Sequence, residues 1–148
     1  MSDAARIEHA GGLVLSVYRE GDRFQHRVSA GDAAWESAPR DMLDTPVFTE
    51  LHQQGDVVFL SGNAGFGHCS ASIEPCDAGF FFDVACRVTS PTPAVASFYR
   101  GEGLTCSPSA DDSMVRPAEN ERSMWVVEST EPIGPLPCLL RCRYTIGR

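Results

Sequence analysis

At 148 residues, 43% hydrophobic and 22% charged, the chain has the size and composition of one globular domain, large enough to bury a core without help from disulfides or metal. Twenty acidic residues against 12 basic ones give a formal charge of -8, which opposes general attraction to nucleic-acid phosphates, so no nucleic-acid partner is expected. All 12 basic residues are arginines, and the absence of lysine excludes Schiff-base catalysis and the phosphate-contacting lysine of a P-loop.

The opening MSDAARIEHAGG lacks a basic leader followed by an apolar run. No later run approaches the roughly 18 apolar residues of a membrane span. A cytoplasmic protein with no membrane partner is the expectation. Leu13–Arg19 and Arg23–Ala30 flank Glu20, Gly21 and Asp22, a polar turn whose glycine can take positive φ, and the pair reads as a β-hairpin. Phe24, His26 and Val28 share one face of its second strand. Gly31–Arg40 has turn chemistry at both ends and reads as a loop whose Trp35 covers an edge of the core. Asp44–Gly55 suits either a capped helix or a strand, and the β-rich start Val47, Phe48, Thr49 favours the strand.

Asp56–Ser61 holds the apolar block Val57, Val58, Phe59, Leu60 and reads as a central strand. His68–Glu74 alternates, with Cys69, Ala71 and Ile73 on one face and His68, Ser70, Ser72 and Glu74 on the other. In Phe80–Val88, the set Phe80, Phe82, Val84, Cys86, Val88 predicts a core face, with Phe81, Asp83, Ala85 and Arg87 opposite. Ser90-Pro-Thr-Pro93 interrupts the sheet, and short strands follow at Ala94–Arg100, Leu104–Cys106, Met114–Arg116 and Ser123–Ser129. Prolines 132, 135 and 137 enforce an extended connection. The chain closes on Leu139–Ile146, where Leu140, Cys142, Tyr144 and Ile146 face together.

About eight to ten closely spaced strands without a long amphipathic helix predict an all-β fold. The expected form is a single domain over residues 1–148, an antiparallel, calycin-like β-barrel of up-and-down design. A Greek-key β-sandwich is the alternative.

The six cysteines, in a chain read as cytoplasmic, are expected to be free thiols, with Cys69, Cys86 and Cys142 filling core positions. No CxxC pair occurs, and neither a metal nor another cofactor is expected. Gly62-Asn-Ala-Gly65-Phe66-Gly67 follows a strand but lacks Gly-Lys-Ser/Thr, and its glycine spacing reverses the dinucleotide fingerprint. It reads as a flexible turn that can rim a pocket. Ser70 or Ser72 beside His68 lacks an oxyanion hole and a nucleophile elbow, so no catalytic residue is assigned. Asp83 is expected to pair with Arg87, Arg141 or Arg143 across the sheet.

Three functions from different classes remain. The first is binding of an apolar or amphipathic small molecule by His26, Gly62, Gly65, Phe66, Gly67, His68, Ser70 and Ser72. The second is a protein-interaction or assembly module, including a homodimer, built on Trp35, Trp125, Phe81 and Phe98. The third is a metal- or thiol-dependent enzyme, which requires two or more of His68, Cys69, Cys76 and Cys106 to converge.

Overall fold

The computed structural model describes residues 2–38, 45–119 and 121–148. The described residues form 13 strands, all paired antiparallel, and no helix. The strands are β1 (Asp3–Glu8), β2 (Val14–Glu20), β3 (Arg23–Ala30), β4 (Ala33–Ser37), β5 (Glu50–Gln54), β6 (Val57–Ala64), β7 (Gly67–Cys76), β8 (Gly79–Val88), β9 (Ala96–Glu102), β10 (Thr105–Pro108), β11 (Ser113–Pro117), β12 (Met124–Ser129) and β13 (Cys138–Gly147). They build a seven-stranded sheet of order β1-β2-β3-β4-β9-β12-β11 and a six-stranded sheet of order β10-β13-β8-β7-β6-β5.

Neither sheet closes, so the barrel expectation is replaced by a sandwich. Hairpin turns do dominate within β1–β4 and within β5–β8. After β8, however, the proline-bearing segments carry the chain across between sheets, so β9 docks beside β4 and β13 beside β8. Proline cannot donate to a ladder, and prolines 91 and 93 lie between β8 and β9 as 132, 135 and 137 do between β12 and β13.

The interior comes from the alternation of strands facing each other across the sandwich. In β8, Phe80, Phe82, Val84, Cys86 and Val88 are all buried, opposite Ile146, Tyr144, Cys142, Leu140 and Cys138 of β13. Each fully buried side chain of this size contributes roughly 1.5–3 kcal/mol of transfer free energy. A slip of one residue would turn the whole set outward, which is why this register is strongly specified. Cys69 and Cys86 occupy directly opposed interior positions on β7 and β8 and are joined as a disulfide, contrary to the free-thiol expectation. Cys76, Cys106, Cys138 and Cys142 are free.

Three further differences have local causes. Residues 33–37 form a strand where a loop is expected, because Trp35 is only 2% exposed and pairs with Val28 on one side and Gly101 on the other. A side chain at Gly101 would place its Cβ 2.4 Å from Trp35 Nε1, so glycine makes room for the indole. The expected strand 44–55 is a strand only over Glu50–Gln54, and Asp44, like residues 39 and 40 of the expected loop, lies outside the described residues. The stretch before β5 bridges the sheets instead: Phe24 N donates to Phe48 O and Thr49 N to Ser61 O, at 2.8 and 2.9 Å. Finally, Asp3–Glu8 is an unanticipated edge strand, with Ala5 and Ile7 turned inward.

Candidate functional site

Two places concentrate polar chemistry, one inside the sandwich and one on its outer surface. Inside, the alternation of β3 turns His26 toward the opposite sheet, where its ring lies 5.4 Å from that of Phe82. His26 Nε2 is hydrogen-bonded to the Tyr99 hydroxyl at 2.7 Å, and that hydroxyl to the Tyr144 hydroxyl at 2.5 Å. Phe82 and Tyr144 stack with centroids 4.9 Å apart, closing the chain beneath an apolar lid. Burial lowers the His26 pKa to about 4 and pushes both tyrosines well above their ordinary value. The nearby Cys106 and Cys142 thiols are raised to about 12 and about 11, chiefly by the same desolvation. The cluster is therefore neutral at pH 7.

Outside, the register of the six-stranded sheet sets its outward side chains in rows. Glu50, Ser61, Ser70, Ala85 and Arg141 lie side by side across β5, β6, β7, β8 and β13. The next row is His52, Phe59, Ser72, Asp83 and Arg143. Small side chains in the middle and large ones at the flanks leave an open furrow of about 540 Å³.

One wall carries Phe59, 42% exposed and stacked on His52 with centroids 6.2 Å apart. The other carries Leu139, 64% exposed, and Arg141, which grips Asp83 through two hydrogen bonds of 2.9 and 2.5 Å. That two-point contact, one of the three pairings expected for Asp83, holds the Arg141 pKa above its ordinary value. Arg143 is drawn off to Asp112 at 2.7 Å. Among the described residues, the hydroxyls of Ser61, Ser70 and Ser72 make no hydrogen bond, and Glu50 forms no ion pair.

The expected site residues do not share one location. Ser70 and Ser72 line the furrow. His68 is on the same outer face one row beyond it, and its Nδ1 is engaged by Asn63 Oδ1 at 2.9 Å. Gly62 is buried inside β6, where an added Cβ would meet Val47 O at 2.3 Å; close approach, not a left-handed turn, demands this glycine. The expected flexible turn shrinks to Gly65 and Phe66 between β6 and β7, and Phe66 is buried with its carbonyl accepting from Thr89 N at 2.8 Å. Gly67 starts β7, where a Cβ would collide with Arg87 O. His26 is in the other sheet, separated from all of these by the core.

Sequence reasoning missed Glu50, His52, Phe59, Leu139 and Arg141 as furrow residues. Phe59 hides in the apolar block of β6, and only strict alternation against buried Val58 and Leu60 reveals that it points outward.

Of the four aromatics in the assembly reading, one lies in the core and three are partly exposed. Trp35 is buried and stacks on Trp125, while Phe81 and Phe98 are only partly exposed. Cys69 is bonded to Cys86, and no group of three His, Cys, Asp or Glu side chains among the described residues is arranged to hold a metal ion. No helix among the described residues is long and apolar enough to cross a membrane. Comparison with protein-family models, with curated proteins and with solved structures finds no match.

Proposed function

We propose that the chain binds a hydroxylated, amphipathic small molecule in the furrow across the outside of the six-stranded sheet. The observation that carries this reading is the floor of small side chains, Ser61, Ser70, Ser72 and Ala85, set between exposed Phe59 and Leu139. The volume of about 540 Å³ falls within the roughly 300–1,000 Å³ typical of small-molecule sites. An apolar ligand face rests on Phe59 and Leu139. Hydroxyls on its other edge meet the three serines, with the Glu50 carboxylate as acceptor and the fixed Asp83–Arg141 pair setting orientation. The serines are binding groups here, since none is hydrogen-bonded to a histidine that could activate it.

The test is a titration with octyl glucoside below its micelle-forming concentration, followed by amide chemical shifts. Saturable shifts centred on Ser61, Ser70, Ser72 and Ala85 are expected. Loss of wall contact in Phe59→Ser or Leu139→Ser should weaken binding about tenfold or more. Equal binding by both variants and the parent would overturn the reading.

A second reading, a protein partner or a second copy of the chain seated on the same wall, draws on the exposure of Phe59 and Leu139. It predicts a concentration-dependent dimer in sedimentation, or a bound protein, that Leu139→Ser disperses.

A further inference from the structure

The free polar groups of the furrow gather at its β5 end. Across three neighbouring strands the register sets Glu50 directly opposite Ser61, and Ser61 directly opposite Ser70, all on the outer face. Opposed side chains on one face stand about 4.5–5.5 Å apart at Cβ, so a group seated over Ser61 is within reach of both neighbours. Glu50 and Ser70 are exposed and Ser61 is partly so. None of the three side chains has a hydrogen-bond or ion-pair partner among the described residues.

At the β13 end the charges are already matched. Asp83 is held by Arg141 through two hydrogen bonds, and Arg143 turns away to Asp112. The furrow is therefore lined by two carboxylates and one guanidinium, and the carboxylate left unbalanced is that of Glu50. The chain as a whole carries -8, so its field adds to the pull of Glu50 on a cation. Phe59 stands diagonal to Glu50 in the next row, opposite His52, with 42% of its surface exposed. An exposed aromatic ring attracts cations through the negative charge of its face. A neutral hydroxyl placed over Ser61 would bring one donor to this row. A primary ammonium brings three, enough for Glu50, Ser61 and Ser70 together, and supplies the positive charge that the row lacks.

We propose, resting on the small-molecule reading of the furrow, that its ligand is a cationic amphiphile: a primary amine beside hydroxyl groups on an apolar body, as in a long-chain amino alcohol. Such an amine keeps its proton at pH 7, as a lysine side chain does. Its ammonium lies over Ser61 and donates to the Glu50 carboxylate and to the Ser61 and Ser70 hydroxyl oxygens, with the Phe59 ring beside it. Arg141 on the far wall repels an ammonium, so one orientation is favoured, with the amine at β5 and the apolar body running toward exposed Leu139 of β13. Each serine accepts from the ligand and keeps its own hydrogen for water or for a ligand hydroxyl.

Three probes that share an eight-carbon chain and differ in the head group supply the test. Octylammonium, octyl glucoside and octyl sulfate are each titrated below the micelle-forming concentration, with the amide shifts of Ser61 and Ser70 as the readout. Octylammonium should bind saturably and about fivefold or more tighter than octyl sulfate. Glu50→Gln should weaken octylammonium about fivefold, the upper range for an ion pair open to water, and octyl glucoside by no more than about twofold. Glu119→Gln removes the same charge from an exposed site just past β11 of the other sheet and should change neither. Magnetisation transfer should run from the protons next to the nitrogen to Ser61 and Ser70, and from the terminal methyl to Leu139. If octyl glucoside binds in the furrow while octylammonium binds no tighter than octyl sulfate, lies in the reverse orientation, or responds equally to both variants, the amine assignment is overturned and the small-molecule reading survives. If none of the three probes binds, both are overturned.

Discussion

Two faces of one strand pair, β8 and β13, show how differently the same chemistry behaves on either side of a sheet. On the inner face Tyr144 packs on Phe82, its hydroxyl is tied to Tyr99, and its pKa is driven up by burial. One residue away on the outer face, Asp83 holds Arg141 in a pair open to water. Inside, a polar atom must find a protein partner or leave a debt, which is why the tyrosine hydroxyls and His26 form one connected chain. Outside, water satisfies the hydroxyls of Ser70 and Ser72 at little cost, so they remain available to a ligand.

The largest effect that sharpens this contrast is Phe82→Ala. It removes the ring packed against both His26 and Tyr144 and should destabilise the fold by about 3–5 kcal/mol in denaturant unfolding. A loss below about 1 kcal/mol would mean that the interior is loosely packed there.

Next comes pH. The folded His26 pKa lies near 4, below the ordinary 6.5, so between those values the unfolded chain binds the extra proton. Stability from this group is complete above about pH 6.5, declines as pH falls toward 4, and changes no further below that, with about 3 kcal/mol at stake on the scale of 1.4 kcal/mol per pH unit. Unfolding curves for the parent and for His26→Phe, compared across pH 4–7, isolate it: the variant should lack that part of the slope.

Tyr144→Phe deletes one hydroxyl of the chain and should cost about 1 kcal/mol. It also leaves the Tyr99–His26 bond in place. Smallest is Ser70→Ala on the outer face, expected to shift stability by no more than about 0.5 kcal/mol. A larger loss there would show that the hydroxyl has a structural partner and would weaken the contrast.

Much of the architecture was legible because alternation with a period of two is a local signal. The inner sets of Phe80–Val88 and Leu140–Ile146 emerge as read, as does the hairpin around Gly21, which takes φ of 66°. Closure of the sheets was not legible. Whether two strands joined by a proline-rich connection pair with each other or land in different sheets depends on contacts far apart in sequence. Trp35 failed for the same reason, since its strand exists only because Gly101, 66 residues later, leaves space for the ring. At the furrow, Ser70 and Ser72 were readable as a polar face, whereas the walls were not, because Phe59 and Leu139 become neighbours of that face only through the register of four strands.

The most direct test of the furrow is a search for magnetisation transfer from the alkyl and sugar protons of bound octyl glucoside to the Phe59 ring and the Leu139 methyls. Binding in the furrow predicts contacts to both walls at once. Contacts confined to other surfaces, or none at saturating ligand, would contradict it.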